Sequence, residues 1–320
     1  MSKILVLGGG GMIGQKLAQR LQPTDDVTLF DIGFPAESAP GKQVIGNVAD
    51  PAVARRLAGE RFDLIYHLAA IVSGEAEADF DKGWSVNMMA MWHLLEALKE
   101  EHRASGGAYV PKIVFTSSIA VFGGPFPTKI NDTFLSAPQT SYGAQKAACE
   151  LMLTDFSRKG FVDGISLRLP TICVRPGKPN AAASGFFSGI IREPLNGQEA
   201  ILPVSDKVRH WHASPRAAVG FLLHAANLDT AMLEDRRALN LPGFSCTVAE
   251  QIEALRRAAG QNAVDRIKHE PDDTIMRIVA GWPRDFDPQR AIVLGFKAEQ
   301  SFGEIIQVYL EDDMPSANRG

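Results

Sequence analysis

The feature that most constrains this chain is the order of residues 4–21. Ile4-Leu5-Val6-Leu7 is an apolar run of strand length. Gly8-Gly9-Gly10-Gly11 follows directly, and the stretch Ile13 to Leu21, which contains Gly14, has the apolar spacing of a helix. A buried strand that turns through glycine into a helix places bare backbone at a helix N-terminus. The free N–H groups and the helix dipole there attract a phosphate. Gly8, Gly11 and Gly14 allow, respectively, a tight turn, close approach of a pyrophosphate, and packing of helix on strand. Met12 and Ile13 open the helix beside them. A flexible linker would also be glycine-rich, but it would not join a Val/Leu strand to a periodic helix.

Val27-Thr28-Leu29-Phe30-Asp31 reads as a second strand ending in a carboxylate. Asp31 falls about twenty residues after the glycines, where a group that binds adenosine ribose hydroxyls is expected. A carboxylate there repels a 2′-phosphate, and Ile32-Gly33 offers no arginine to receive one. NAD is therefore expected in preference to NADP.

Further strand-like runs end near Gly46, Ala69, Ser117 and Leu169, with helical patterns over 51–57, 84–99 and 142–157 between them. This alternation predicts a doubly wound parallel sheet whose ligand rim lies at the strand C-termini. The rhythm breaks in the Pro/Gly-rich loop Arg175 to Asn180. A helix is expected over 184–195, a strand over 208–213 and a helix over 215–226. The apolar contacts of the last part are expected from 290–296 and 302–310. The expected organisation is a dinucleotide-binding domain over 1–169, to which 208–240 returns. A smaller α/β substrate lobe would comprise 170–207 and 241–320 and cover the rim.

The chain has 320 residues, 45% apolar and 22% charged, with net charge −4. That balance points to no nucleic-acid partner. No apolar run reaches membrane-spanning length, and the first strand begins too early to leave room for a signal peptide. Cys149, Cys173 and Cys246 are far apart and odd in number, so neither a disulfide framework nor a metal spacing is expected. Together these predict a cytoplasmic protein without a metal. His210 and His212 alternate about Trp211 and are expected on opposite faces of a strand, as packed or solvent-facing residues.

Tyr142 and Lys146 are an i, i+4 pair, so phenol and ammonium share one helix face. A cation beside a phenol lowers its pKa toward working pH. Ser118 ends the strand 112–118 on the ligand rim, where its hydroxyl can hold a substrate oxygen while Tyr142 takes the proton.

Gly8-x-x-Gly11-x-x-Gly14, His67-Leu68-Ala69-Ala70, Ser117-Ser118-Ile119-Ala120-Val121-Phe122-Gly123 and Tyr142-x-x-x-Lys146 together resemble the extended short-chain dehydrogenase/reductase family, the NAD-dependent sugar-nucleotide epimerases and dehydratases. The resemblance covers nearly the whole chain and implies a Rossmann-type fold. It implies Tyr142 as acid/base, Lys146 on the nicotinamide ribose and Ser118 on the reacting oxygen. It also implies that Asn47, Val48, Leu68, Ala69, Ala70, Asn87, Pro170 and Ile172 line the cofactor. Asn47 stands where the family usually has Asp, and Phe122 where it usually has Tyr. Family dehydratases carry an acidic pair after the serine; Ile119 and Ala120 cannot titrate, so dehydration is set aside. Arg209 stands where the family's diphosphate arginine lies, yet such a cation also suits a carboxylate.

The segments 169–180, 183–189 and 209–216 are similar to a sugar-acid dehydrogenase subgroup. That likeness, and not composition or spacing, implies oxidation of the hydroxyl next to a carboxylate. Arg175 or Arg209 would bind the carboxylate, with Ser73 and Asn180 as further candidates. A sugar-nucleotide epimerase and a non-catalytic dinucleotide sensor remain as alternatives. A homodimer through the helices 84–99 and 142–157 is a further expectation.

Overall fold

The computed structural model describes residues 2–21, 23, 25–177 and 183–314. Its contacts divide the chain into two units. The first comprises Met1–Val121, Thr140–Arg168 and Val219–Leu239, and the second Phe122–Gln139, Leu169–Ala218 and Asn240–Gly320.

The first unit is built on a seven-stranded sheet. Its strands are β1 (Lys3–Leu7), β2 (Asp26–Asp31), β3 (Lys42–Ile45), β4 (Leu64–His67), β5 (Lys112–Ser118), β6 (Asp163–Leu169) and β7 (Ala238–Asn240), in the order β7-β6-β5-β4-β1-β2-β3. The pairings β1–β2, β1–β4, β2–β3 and β4–β5 are all parallel. The order reverses beside β1, which puts the glycine turn after β1 at the switch point where doubly wound sheets bind ligands. β1 is apolar on both faces because helices cover both sides of such a sheet; Ile4, Leu5, Val6 and Leu7 are all buried.

Local chemistry sets the helix starts. Helix α1 (Met12–Ala18) begins at Gly11 and stops three residues short of the expected end. Helix α2 (Pro51–Gly59) has Pro51 in its first turn, and the Asp50 carboxylate accepts from Ala52 N–H at 2.8 Å. The expected helix 84–99 is a π-helical turn, Trp84–Met89, running into α3 (Ala90–Ala104). Helix α4 (Ser141–Arg158) is capped by Thr140, whose hydroxyl accepts from Gly143 N–H. That cap fixes where Tyr142 and Lys146 stand along the first two turns.

The second unit has its own core, including Phe187, Ile190, Ile191, Leu255, Phe302 and Ile306. Its boundaries differ from the sequence expectation in two places. Segment 122–139 belongs to it because the Phe122 ring packs on Phe134 and Phe286, and Ile130 pairs with Phe286. The strand Arg209–Ala213 also belongs to it, paired with Phe244–Thr247 and Thr171–Ile172, and the chain rejoins the first unit only at Val219.

Within the first unit, Arg168 grips Glu150 through Nε at 2.9 and 3.1 Å and Nη2 at 2.7 Å. The Ser117 hydroxyl donates to the same carboxylate. The two charged side chains are only 13% and 5% exposed. Removing one charge strands the other in the interior. Glu150→Gln should therefore lower stability by about 3 kcal/mol, read as a fall in the urea midpoint by circular dichroism. An unchanged midpoint would show the pair to be energetically idle.

Candidate active site

The glycine turn is held by its own backbone. Gly8 N–H and Gly9 N–H both donate to Phe30 O, at 2.9 and 3.1 Å, and Gly11 N–H donates to Gly8 O at 3.2 Å. Gly8 has φ +88°, a conformation that L side chains rarely adopt. A Cβ on Gly14 would lie 2.3 Å from Gly8 O, and one on Gly10 2.1 Å from Gly33 O. Gly11 differs: the nearest atom to a Cβ there is Gly8 O at 3.4 Å. Packing thus requires glycine at positions 8, 10 and 14 but not at 11. Room beside Gly11, at the N-terminus of α1, suits the close approach of a phosphate.

Asp31 braces the turn. Its carboxylate accepts from Gly10 N–H at 2.9 Å and from Ile32 N–H at 2.7 Å. Lone pairs remain for ribose hydroxyls. Asn47 is exposed, and its Oδ1 already accepts from Ala49 N–H at 3.0 Å. Val48 packs against the core of the first unit. Leu68 N–H donates to Leu7 O, and Ala69 lies against Gly8. Ala70 is exposed.

Ser118, Tyr142 and Lys146 come together in the first unit. The Tyr142 hydroxyl hydrogen-bonds Ser118. Lys146 is 2% exposed, and its Nζ donates to Thr116 O at 2.8 Å. The ammonium lies 4.7 Å from the Phe115 ring centroid and 5.6 Å from that of Tyr142, both within cation–π range. Burial pushes Lys146 down to about 8 and Tyr142 up to about 12, the latter opposed by the Ser118 hydrogen bond. The expected lowering of Tyr142 by Lys146 is thus not what the protein alone produces: desolvation of the phenolate dominates. An ammonium has three donors. Thr116 takes one, which leaves Lys146 able to hold ribose hydroxyls.

The resemblance implies Asn87 on the cofactor. Its side-chain amide is engaged inside the protein: Oδ1 accepts from Ile71 N–H at 2.8 Å, and Nδ2 donates to Gln145 Oε1 at 2.8 Å and to Ile71 O at 3.3 Å. Ser73 is half-buried and opens the helix Ser73–Ala78.

Pro170, Ile172, Arg175 and Arg209 belong to the second unit. Asn180 lies outside the described residues, as does Lys178. The Arg175 backbone is pinned twice: its N–H donates to Ser188 Oγ at 3.1 Å, and its carbonyl accepts from Arg192 Nη1 at 2.6 Å. Among the described residues its half-buried guanidinium meets the Ser184 hydroxyl, at 3.4 Å, and no carboxylate. Burial, together with the charge of Arg192, lowers its pKa. Arg192 has Glu193 as its counter-ion. Arg209 also has one: Nη2 meets Glu250 Oε2 at 3.1 Å.

His210 and His212 share one face of their strand, ring centroids 5.3 Å apart. The expectation of opposite faces fails because side chains two residues apart in a strand point the same way. Both rings are buried and held neutral by desolvation, His210 down at about 4. His210 is held by Thr171 Oγ1 and Pro283 O, and His212 by Gln251. No cluster of three His, Cys, Asp or Glu residues able to hold a metal occurs among the described residues. The three cysteines are free and buried.

The model of the NAD dependent epimerase/dehydratase family matches residues 4–231. The chain belongs to that family. It is 46% identical to the D-erythronate dehydrogenase of Cupriavidus necator, over 97% of this chain and 98% of that one. It is 42% identical to the D-erythronate dehydrogenase of Haemophilus influenzae, over 98% and 100%. The solved nucleoside-diphosphate-sugar epimerase of Agrobacterium tumefaciens is 53% identical, with a TM-score of 0.93 over 97% of this chain and 94% of that one.

The sequence reading missed three contributors. Thr116 offers its carbonyl to Lys146, Phe115 lies beneath the ammonium, and Gln145 meets Asn87. Gln145 stands inside the Tyr142-Gly143-Ala144-Gln145-Lys146 motif, so its position was visible; its partner was not.

The glycines separate fold from binding. Gly14→Ala forces backbone apart and should lower the melting temperature measurably. Gly11→Ala should fold like the parent yet weaken NAD binding at least tenfold, measured by calorimetry. Unchanged NAD affinity in a folded Gly11→Ala protein would refute the cradle.

Proposed function

We propose that this protein is an NAD-dependent sugar-acid dehydrogenase that oxidises the C2 hydroxyl of D-erythronate to 2-dehydro-D-erythronate. The observation that carries the reading is the Ser118–Tyr142–Lys146 constellation in a chain 42–46% identical, end to end, to two D-erythronate dehydrogenases. NAD would be held by the Gly8–Gly14 turn, Asp31 and Lys146. When bound, it supplies the acceptor for the hydride lost from C2.

The protein's own part is proton transfer and orientation. Tyr142 as phenolate accepts the C2 hydroxyl proton. Ser118 is hydrogen-bonded to the phenol and is the group suited to hold the reacting oxygen. Lys146, an ammonium on the same helix face, favours the anionic phenolate once formed. We assign the substrate carboxylate to Arg175, since Arg192 and Arg209 already have Glu193 and Glu250. A half-buried guanidinium that meets, among the described residues, only a hydroxyl gains most from a bidentate carboxylate.

A second reading is a sugar-nucleotide epimerase, favoured by the 53% identity to a structure so named. An epimerase returns its hydride and makes no net NADH. The purified protein with NAD and D-erythronate should give growing absorbance at the NADH band; its absence, with a nucleotide sugar interconverted instead, selects the epimerase. Tyr142→Phe should abolish NADH formation while leaving NAD affinity nearly intact. Arg175→Met should raise KM for the acid at least tenfold, and KM unchanged would remove Arg175 from the carboxylate.

The Ser118 hydrogen bond lowers the Tyr142 pKa against burial. Its loss leaves less phenolate at any given pH below that pKa. Ser118→Ala should therefore move the rise of kcat/KM to higher pH as well as slow the reaction; a shift to lower pH would contradict the assigned roles.

A further inference from the structure

Two amides are buried beside the catalytic helix face. Asn87 is 1% exposed and Gln145 is fully buried. Asn87 Nδ2 donates to Gln145 Oε1 at 2.8 Å, and the same Asn87 amide clamps both polar groups of Ile71. An unbroken line of hydrogen bonds thus runs from the Ile71 backbone, two residues before Ser73, to the residue immediately before Lys146.

Two other features serve this line. The π-helical turn Trp84–Met89 carries Asn87, and such turns interrupt helices where a side chain must be re-aimed. Gly83 makes the room: a Cβ there would lie 2.6 Å from Gln145 Nε2. A second tie flanks the motif on its other side, where Ser141 N–H, immediately before Tyr142, donates to Glu77 Oε2 at 3.0 Å.

Stability alone does not account for the glutamine. Its Nε2 is buried with no acceptor, and an unpaired buried donor carries a desolvation penalty. Methionine or leucine would remove that donor but strand the buried Asn87 N–H that Oε1 accepts. The glutamine thus carries an unpaired donor in order to hold Asn87, which points to its Oε1 as the end that matters.

We propose that Gln145 and Asn87 form a positioning clasp that sets the Tyr142–Lys146 helix face against the Ile71–Ser73 segment for hydride transfer. Neither amide is a catalytic residue, since each acts through the groups it holds. The proposal rests on the dehydrogenase reading for the rate it governs, but the clasp is measurable without substrate. Reacting groups displaced by about 1 Å lose rate by as much as a hundredfold.

The test compares Gln145→Met, Gln145→Ser and Gln145→Glu in the full-length protein. Methionine cannot accept as an amide does, and serine is too short to reach. Glutamate keeps an oxygen for Asn87. Whichever of the first two folds should show kcat for D-erythronate reduced roughly tenfold to a hundredfold. Its NAD dissociation constant should change less than threefold, and the Ile71–Ser73 amides should exchange faster with deuterium. Gln145→Glu should recover most of kcat and restore the slow exchange. A folded Met or Ser variant with kcat within twofold of the parent overturns the proposal. So does a parallel loss of kcat and NAD affinity that glutamate does not recover, since that pattern marks a merely structural residue. A parent protein that makes no NADH from D-erythronate sinks the dehydrogenase reading instead, and the exchange rates then decide the clasp by themselves.

Discussion

The backbone of Gly8 comes so near the Leu68–Ala69 peptide that a Cβ on it would lie 2.7 Å from the Ala69 nitrogen. Gly10 approaches Gly33 O and Gly14 approaches Gly8 O more closely still. These contacts join the ends of β1, β2 and β4 and the start of α1 at one point. Any side chain there would push a strand end or the helix away. Because β1 lies where the strand order reverses, the crowded point is also where a doubly wound sheet can take a ligand. The same lack of side chains that closes the fold leaves the N-terminus of α1 open to approach beside Gly11. One steric constraint therefore serves both the packing of the sheet and the recognition of a phosphate.

This explains which parts were legible in the sequence. Strand, glycine turn and helix follow one another within twenty residues, and the strand ending in Asp31 and the helix carrying Tyr142 are each a continuous local pattern. Local patterns of that kind can be read without the fold. What escaped depends on distant partners. Segment 122–139 has a Pro/Gly-rich sequence that signals a loop, but its membership of the second unit rests on Phe122 meeting Phe286. The family resemblance implies Asn87 on the cofactor, whereas its bonds to Ile71 and Gln145 depend on residues distant in sequence. The histidine pair was misplaced by an error of period, not for want of information: residues 210 and 212 of a strand share a face.

Burial moves the two titratable groups of the site in opposite directions. The phenol of Tyr142 rises to about 12 and the ammonium of Lys146 falls to about 8. Each shift has the same origin, the cost of holding a charge away from water. Below about pH 8 the ammonium therefore stands beside a neutral phenol in the protein alone, and phenolate beside ammonium is held in reserve. Phe115 softens the cost for Lys146, since its ring face attracts the cation without supplying a competing anion. A carboxylate in that place would fix the ammonium but leave it less to offer the phenolate.

The distribution of arginines in the second unit follows a similar economy. Arg192 and Arg209 each meet a glutamate, and Arg209 meets the one that also closes the cap of the helix Val248–Ala259. Freeing Arg209 for a ligand would loosen that cap. Arg175 has its backbone held by Ser188 and Arg192 while its guanidinium, among the described residues, meets only a hydroxyl. A fixed backbone with an uncommitted head is the arrangement that loses least entropy on binding. A guanidinium so prepared matches a carboxylate in two parallel hydrogen bonds, whereas a diphosphate asks for several cations at once. With its arginine neighbour Arg192 already neutralised, Arg175 is the cation that, on the proposed dehydrogenase reading, would favour a small monoanionic acid over a nucleotide sugar.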